Sequence, residues 1–321
     1  MSKIAVLGAG RWGSLIAWYT NKIGHNIVLW GRKESKNFQN LKKNRSNSLL
    51  KLDDKIEITS DLDFALLQDY LIVSINSQNF RNFLNDLIKF CENKFDLNKK
   101  KIIMCMKGIE ENTGKRLSEI VKEFLPDHQY VAIWVGPGHV KNLLVGIPTC
   151  MVVDSDNLNF KNELCKMFSS SLIKCYKGND LIGNEIGAAA KNVLGIGAGI
   201  LDALKMESLK GPLMSIGAQE IASIIEVFGG NYKSAFGLCH LGDFQATLFS
   251  KESNNRKFGE SIVTGEKIYF VSEGIKTANA IYRICKEKKL KLPICEEIYM
   301  IINKKIRPEE SIKKLFSSNI E

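Results

Sequence analysis

In the first half of the chain, short apolar runs alternate with longer stretches whose apolar residues fall at helical spacing. The runs are Lys3 to Leu7, Asn26 to Trp30, Ile56 to Thr59, Tyr70 to Ile75, Lys101 to Met106, Tyr130 to Val135, Cys150 to Val153 and Leu172 to Cys175. Short buried runs separated by helix-length segments predict strands joined by helical crossovers, hence a doubly wound, mainly parallel sheet. After about Gly178 the strand pattern stops. Gly183 to Leu204, Leu209 to Phe228, Ser272 to Lys288, Pro293 to Asn303 and Pro308 to Leu315 carry helical spacing, with glycine, asparagine and proline between them. The expected fold class is α/β, with a sheet domain over residues 1–180 and an all-helical domain over residues 181–321.

The turn after the first run sharpens that picture. Gly8-Ala9-Gly10-Arg11-Trp12-Gly13 stands between an apolar strand and an amphipathic helix from Ser14 to about Ile23. In that context GxGxxG is the signature of a Rossmann dinucleotide site. Gly8 makes the tight turn, Gly10 lets the backbone approach a pyrophosphate, and Gly13 lets helix and strand pack closely. The free N–H groups of the helix start then face the phosphates. A strict NAD site places a carboxylate after the second strand; here the chain reads Trp30-Gly31-Arg32-Lys33. Two cations suit a 2′-phosphate, so NADP is expected as readily as NAD, although Arg32 could instead cover the adenine or face water. Ligands bind beyond the carboxyl ends of strands in such sheets, which selects Ser74 to Asn76, Lys107-Gly108 and Gly136-Pro137-Gly138 as site-facing turns. Lys107 could contact an anion there or cap a carbonyl.

In the second half, Gly183, Gly187, Gly195 and Gly199 fall at multiples of four residues, with Lys191 in their midst. Residues four apart share a helix face, so the face is small-sided except for one ammonium. Each glycine costs a helix about 1 kcal/mol relative to alanine, so something must approach this backbone closely. That something is either a reacting ligand or a neighbouring helix. The segment Leu238 to Gly259, LCHLGDFQATLFSKESNNRKFG, is too polar and too irregular to be plain core.

Composition narrows the function classes. At 321 residues the chain is long enough for two domains, and its 45% hydrophobic and 25% charged content is that of a globular protein. The net charge of +10 suits an anionic partner. The lysines are scattered, with short runs at Lys99-Lys100-Lys101 and Lys286 to Lys291, which argues against nucleic acid; a small phosphorylated substrate fits the basic balance equally well. Eight cysteines without a CxxC pair read as buried reduced thiols, and four histidines without ligand spacing give no metal site. The pattern leads to the expectation that no signal peptide precedes the first strand and that no apolar run of about 18 residues spans a bilayer. The expected location is cytoplasmic, without stable membrane insertion.

The strings GAGRWG from Gly8, KGIEENTGKRLSEI from Lys107, VGPGH from Val135, GNEIGAAAKNVLGIGAGILDAL from Gly183, LGDFQATLFSKESNNRKFG from Leu241, and SEGIKTANAIY followed by LPICEEIY run through nearly the whole chain. Together they resemble the bacterial-type NAD(P)-dependent glycerol-3-phosphate dehydrogenases. The resemblance implies a Rossmann domain joined to a helical domain and reversible reduction of dihydroxyacetone phosphate to sn-glycerol 3-phosphate, feeding glycerophospholipid synthesis. By motif, Lys191 looks like the catalytic lysine, Asn192 like its neighbour in the substrate site, and Lys107 like a lysine that reaches both cofactor and substrate. Asp243 and Thr247 match a D-x-x-x-T spacing in the substrate pocket, and Asp243 orients Lys191 or a substrate hydroxyl. Asn255 resembles the asparagine that faces substrate phosphate and cofactor, and Glu273 a cofactor-contacting glutamate. The cofactor set implied is Gly8, Gly10, Arg11, Trp12, Gly13, Arg32, Lys107, Gly136, Asn254, Asn255 and Glu273.

Three positions depart from the family pattern. Asn254 stands where an arginine is usual, which leaves Arg256 or Lys257 to supply the missing charge to the substrate phosphate. Arg11 stands where serine is common, and Gly138-His139 replaces a serine and aromatic pair. The alternatives are another two-domain reductase, of the hydroxy-acid or ketopantoate type, and a non-catalytic NAD(P)-binding protein of the same fold. A homodimer is compatible with the sequence, which leaves the oligomeric state open.

Overall fold

The computed structural model describes residues 1–250, 253–270 and 272–317. The chain forms two compact units, one from residues 1–106 with 117–179, the other from residues 107–116 with the chain from 180 onward. No feature of the apolar spacing marks the excursion at 107–116.

The first unit is built on eight strands, β1 (Lys3–Leu7), β2 (Asn26–Trp30), β3 (Glu57–Thr59), β4 (Tyr70–Val73), β5 (Lys101–Met104), β6 (Val131–Val135), β7 (Thr149–Asp154) and β8 (Ile173–Lys177). They lie in the order β3-β2-β1-β4-β5-β6-β7-β8. All neighbours are parallel except β6 and β7. Strands covered on both faces read as unbroken apolar runs, and Ile4 to Leu7 are indeed wholly buried. Across the core, Trp134 stacks on Phe168 with ring centroids 4.3 Å apart, and the Tyr19 hydroxyl donates to the Phe168 carbonyl at 2.6 Å. The strand order reverses between β1 and β4, the switch point where such sheets bind ligands. β4 ends at Val73, two residues before its apolar run does. There Gly8 leans on the Ser74 carbonyl, where an added Cβ would lie 2.1 Å from the oxygen, and the chain turns out of the sheet.

The second unit is wrapped around one helix, Leu181–Ala203, of whose 23 residues 20 are buried. A helix apolar all round belongs at the centre of a core. By length and composition this helix could also cross a bilayer, with mean hydropathy 1.2 over an 18-residue window, which corrects the expectation that no such run exists. Burial of 89% of that window inside the protein is the behaviour of a core helix. Helices Lys210–Val227, Asp243–Phe249, Asn254–Thr264, Glu273–Lys288 and Pro293–Ile302 pack on it.

The spaced glycines are the packing surface. A Cβ on Gly187 would lie 2.8 Å from the His240 Cβ, and one on Gly195 2.8 Å from a Thr247 methyl. One on Gly199 would lie 1.9 Å from the Arg256 carbonyl oxygen, while one on Gly259 would lie 2.1 Å from that of Ile196. Helices Leu181–Ala203 and Asn254–Thr264 therefore touch backbone to backbone. The face that looked bare in the sequence is covered by protein, and Lys191 is set into this packed seam.

Candidate active site

The irregular segment from Leu238 resolves into a π-helical turn, Leu238–Gly242, followed by helix Asp243–Phe249 and, farther on, helix Asn254–Thr264. Lys251 and Glu252 of that string lie outside the described residues. π-turns cluster at functional sites, because the extra residue re-aims the side chains that follow. Here it delivers Asp243 and Thr247, one turn apart, to Lys191. The Lys191 ammonium donates to Thr247 Oγ1 at 2.8 Å and lies 3.3 Å from Asp243 Oδ1. The Thr247 hydroxyl donates a hydrogen bond to the Asp243 backbone carbonyl at 2.9 Å, which leaves its lone pairs for the lysine. Lys107 donates to the other Asp243 oxygen at 2.5 Å. Lys191, Asp243 and Thr247 are 7%, 4% and 4% exposed, so these charges meet in a medium of low dielectric.

The electrostatic balance sets the protonation states. Burial pushes the Lys191 ammonium down, Asp243 opposes, and the cation Lys107 adds to the fall, leaving it at about 8. Burial pushes the Asp243 carboxyl up, but Lys107 and Lys191 outweigh it and hold it below its ordinary value. Glu273, half-buried at the start of its helix, is raised by desolvation, with the same two lysines opposing. A lysine poised near 8 can give or take a proton close to neutral pH, which free lysine near 10.4 cannot do well.

A second group lies beside the first. Asn255 Nδ2 donates to Asn192 Oδ1 at 2.9 Å, and Asn255 Oδ1 accepts from Ser272 Oγ at 2.8 Å and from the Gly274 amide at 3.0 Å. Asn255 thus ties three segments together. Asn192 Nδ2 is a buried donor with no partner among the described residues. Arg256 is not brought to this group: its guanidinium pairs with Asp202, and with Glu260 at 2.8 Å, while Lys210 also pairs with Asp202. Its charge is spent inside the fold, so the expectation that it replaces the missing arginine fails on geometry. Asn254 and Lys257 are exposed on the helix that Ser253 caps.

In the first unit the glycine turn has the form its motif requires. Gly8 takes φ +130°, and a Cβ on Gly13 would lie 1.9 Å from the Gly8 carbonyl oxygen. A Cβ on Gly10 would meet nothing within 4 Å, and no side chain caps helix Arg11–Lys22. Open space before free helix N–H groups is a cradle for a dinucleotide pyrophosphate, so the residues present fit that cofactor. Arg11, Arg32 and Lys33 are exposed. Trp12 covers the turn after β6: a Cβ on Gly138 would lie 2.8 Å from the indole, which accounts for glycine where a serine was expected. Gly136, at φ +137°, lies against β7.

Sequence reasoning missed His240, Ser272 and Gly274. His240 is wholly buried beneath Gly187, with Nδ1 donating to the Ala235 carbonyl at 2.8 Å, and burial pushes it down to about 4, so it is neutral. A single histidine in an aperiodic stretch carries no signal of that placement. Among the described residues no group of three or more His, Cys, Asp or Glu could hold a metal ion, and the eight cysteines are thiols, six of them buried.

Residues 3–161 match the family described as NAD-dependent glycerol-3-phosphate dehydrogenase N-terminus, and residues 180–313 match its C-terminus. The chain belongs to this family. It is 32% identical over 328 residues to a glycerol-3-phosphate dehydrogenase, NAD(P)+, of Clostridium botulinum strain Alaska E43, covering 98% of this chain and 97% of that one. The crystal structure of glycerol-3-phosphate dehydrogenase from Coxiella burnetii superimposes with a TM-score of 0.89 at 25% identity, over 99% of both chains. A D-mandelate dehydrogenase reaches a TM-score of 0.61 at 15% identity, a likeness of fold alone. The family's oxidoreductase chemistry with NAD(P) on glycerol 3-phosphate therefore prevails over the hydroxy-acid and ketopantoate alternatives.

Proposed function

We propose that Lys191 is the acid/base of a reversible reduction of dihydroxyacetone phosphate to sn-glycerol 3-phosphate. The observation that carries the assignment is a buried ammonium held between Thr247 and Asp243, with Lys107 on the far carboxylate oxygen, a setting in which burial and Lys107 push it down to about 8. Bound NAD(P)H supplies the hydride, with Gly8, Gly10, Gly13 and the start of helix Arg11–Lys22 as the residues that would hold its pyrophosphate, and Arg32 and Lys33 available to a 2′-phosphate.

As the ketone carbon is reduced, negative charge grows on its oxygen. Lys191 stabilises that charge as an ammonium and then donates its proton, becoming the neutral amine; in the oxidative direction the amine takes the proton back. Asp243 and Thr247 use two of the ammonium's three donor directions and leave the third for the substrate oxygen. Lys107 and the donor Asn192 Nδ2 are the groups offered to the rest of the substrate, including its phosphate, where binding energy remote from the reacting carbon can be used. Asn255 and Glu273 serve chiefly by holding this end of the site and its charge balance. Supply of glycerol 3-phosphate to phospholipid synthesis belongs to the same proposal and rests on the resemblance; a cytoplasmic location, without stable membrane insertion, is proposed with it.

The test is an absorbance assay of purified protein with dihydroxyacetone phosphate, run with NADH and then NADPH, on the native protein and on Lys191→Met. Native turnover together with cofactor binding but no turnover in the variant is the expected result. Near-native turnover in Lys191→Met rejects the assignment, and cofactor binding without turnover in the native protein favours a non-catalytic role.

A further inference from the structure

Residues 107–116 leave the sheet unit after β5 and return to it at Leu117, yet they pack wholly with the helical unit. They form a small hairpin. Ile109 and Arg116 pair as an antiparallel bridge at its base, the Glu110 amide donates to the Lys115 carbonyl at 2.9 Å, and the Gly114 amide donates to the Glu110 carbonyl at 2.8 Å. Its tip lies along helix Glu273–Lys288. There Glu111 pairs with Lys276 at 2.8 Å and accepts from Asn279 Nδ2 at 2.6 Å, and Gly114, at φ +73°, passes close to Ile284. Its base is fastened differently. Arg116 Nη1 donates to Glu185 Oε2 at 2.6 Å, with both side chains at least nine-tenths buried. Glu185 lies on the same helix as Lys191, and Arg116 faces Ile109, two residues beyond Lys107.

A buried ion pair adds little net stability over a well-packed apolar pair of the same volume, so its presence calls for another reason. We infer that Arg116, through its pair with Glu185, is a positioning residue that holds Lys107 against Asp243 and so sets the protonation of Lys191. The inference rests on the functional reading above. The physical chain is short: the pair fixes the hairpin base to the helix that carries the acid/base, the base carries Lys107, and Lys107 is the cation that disfavours a second positive charge on Lys191. The charged groups facing Lys191 are Asp243, Lys107 and Glu273, and His240 beside them is neutral. A hairpin base free to move would take Lys107 out of that set.

The decisive variant is the double substitution Arg116→Met with Glu185→Met. It removes one charge of each sign, leaving the direct field at Lys191 nearly unchanged, and keeps apolar volume in the buried site. The readout is the pH dependence of kcat/KM for reduction of dihydroxyacetone phosphate, with thermal unfolding measured alongside. The descending limb set by Lys191 should move upward by at least about half a pH unit, as it should in Lys107→Met. Because both act through one group, adding Lys107→Met to the double variant should move the limb no further than Lys107→Met alone. A limb that stays at its native pH while only the unfolding temperature falls overturns the inference and leaves the pair a structural one. Shifts that add in the triple variant overturn it too. A Lys107→Met limb that does not move overturns the inference at its second link while leaving Lys191 as acid/base intact, whereas loss of the limb assignment itself is read separately from Lys191→Met.

Discussion

Replacing Asp243 with asparagine keeps the shape of the side chain and removes the carboxylate that Lys191 contacts directly among the described residues. The carboxylate lies 3.3 Å from the ammonium, with both groups buried. At an effective dielectric of about 20, two unit charges at that separation attract by about 5 kcal/mol, equivalent to roughly 3.7 pKa units, and this is a ceiling. The same substitution weakens the hold of Asp243 on Lys107, and any movement of that cation away from Lys191 takes back part of the change. We therefore expect the Lys191 pKa to fall from about 8 by about 1 to 2 units. The sign decides the assay. Reduction needs the ammonium, so its kcat/KM holds below the pKa and falls as pH rises through it. The native limb should stand near pH 8. In Asp243→Asn it should stand about 1 to 2 units lower, so that reduction is about 3- to 25-fold weaker at pH near 7.5 and partly recovers at pH near 6. Oxidation needs the free amine, so its limb should rise at correspondingly lower pH. The measurement is the pH profile of kcat/KM in both directions, followed by cofactor absorbance. A limb that stays at the native pH or moves upward would refute the electrostatic account of the site.

Two glycine substitutions separate packing from binding. Gly199→Ala puts a methyl group 1.9 Å from the Arg256 carbonyl oxygen, so helices Leu181–Ala203 and Asn254–Thr264 must part; a loss of about 3 kcal/mol or more is expected, read as a clear fall in unfolding temperature. Gly10→Ala meets nothing within 4 Å, so its unfolding temperature should stay close to native while cofactor affinity drops, measured by titration calorimetry or fluorescence; tight cofactor binding in that variant would count against the cradle.

The eight strands and the glycine turn were legible in the chain because each depends on neighbours in sequence. Buried parallel strands are apolar without alternation, and a dinucleotide turn needs its glycines within six residues of one another. The apolar run at Tyr70 extends two residues past the strand it marks, since nothing local reports that Gly8 will press on Ser74. The glycines around Lys191 were legible as a close approach, but not its partner. That partner, the backbone of Arg256 to Glu260, comes from more than fifty residues away, and the same packing spends the Arg256 charge on Asp202.

The sequence by itself determined the fold class, the glycine turn after the first strand and the standing of Lys191 as an unusual lysine, because periodicity, turn chemistry and helix-face spacing are local properties. Only the tertiary structure decided how Lys191 can work. Its pKa depends on desolvation and on charges brought from residues 107, 243 and 273, which meet only when the hairpin, the π-turn and the helices close around the same point.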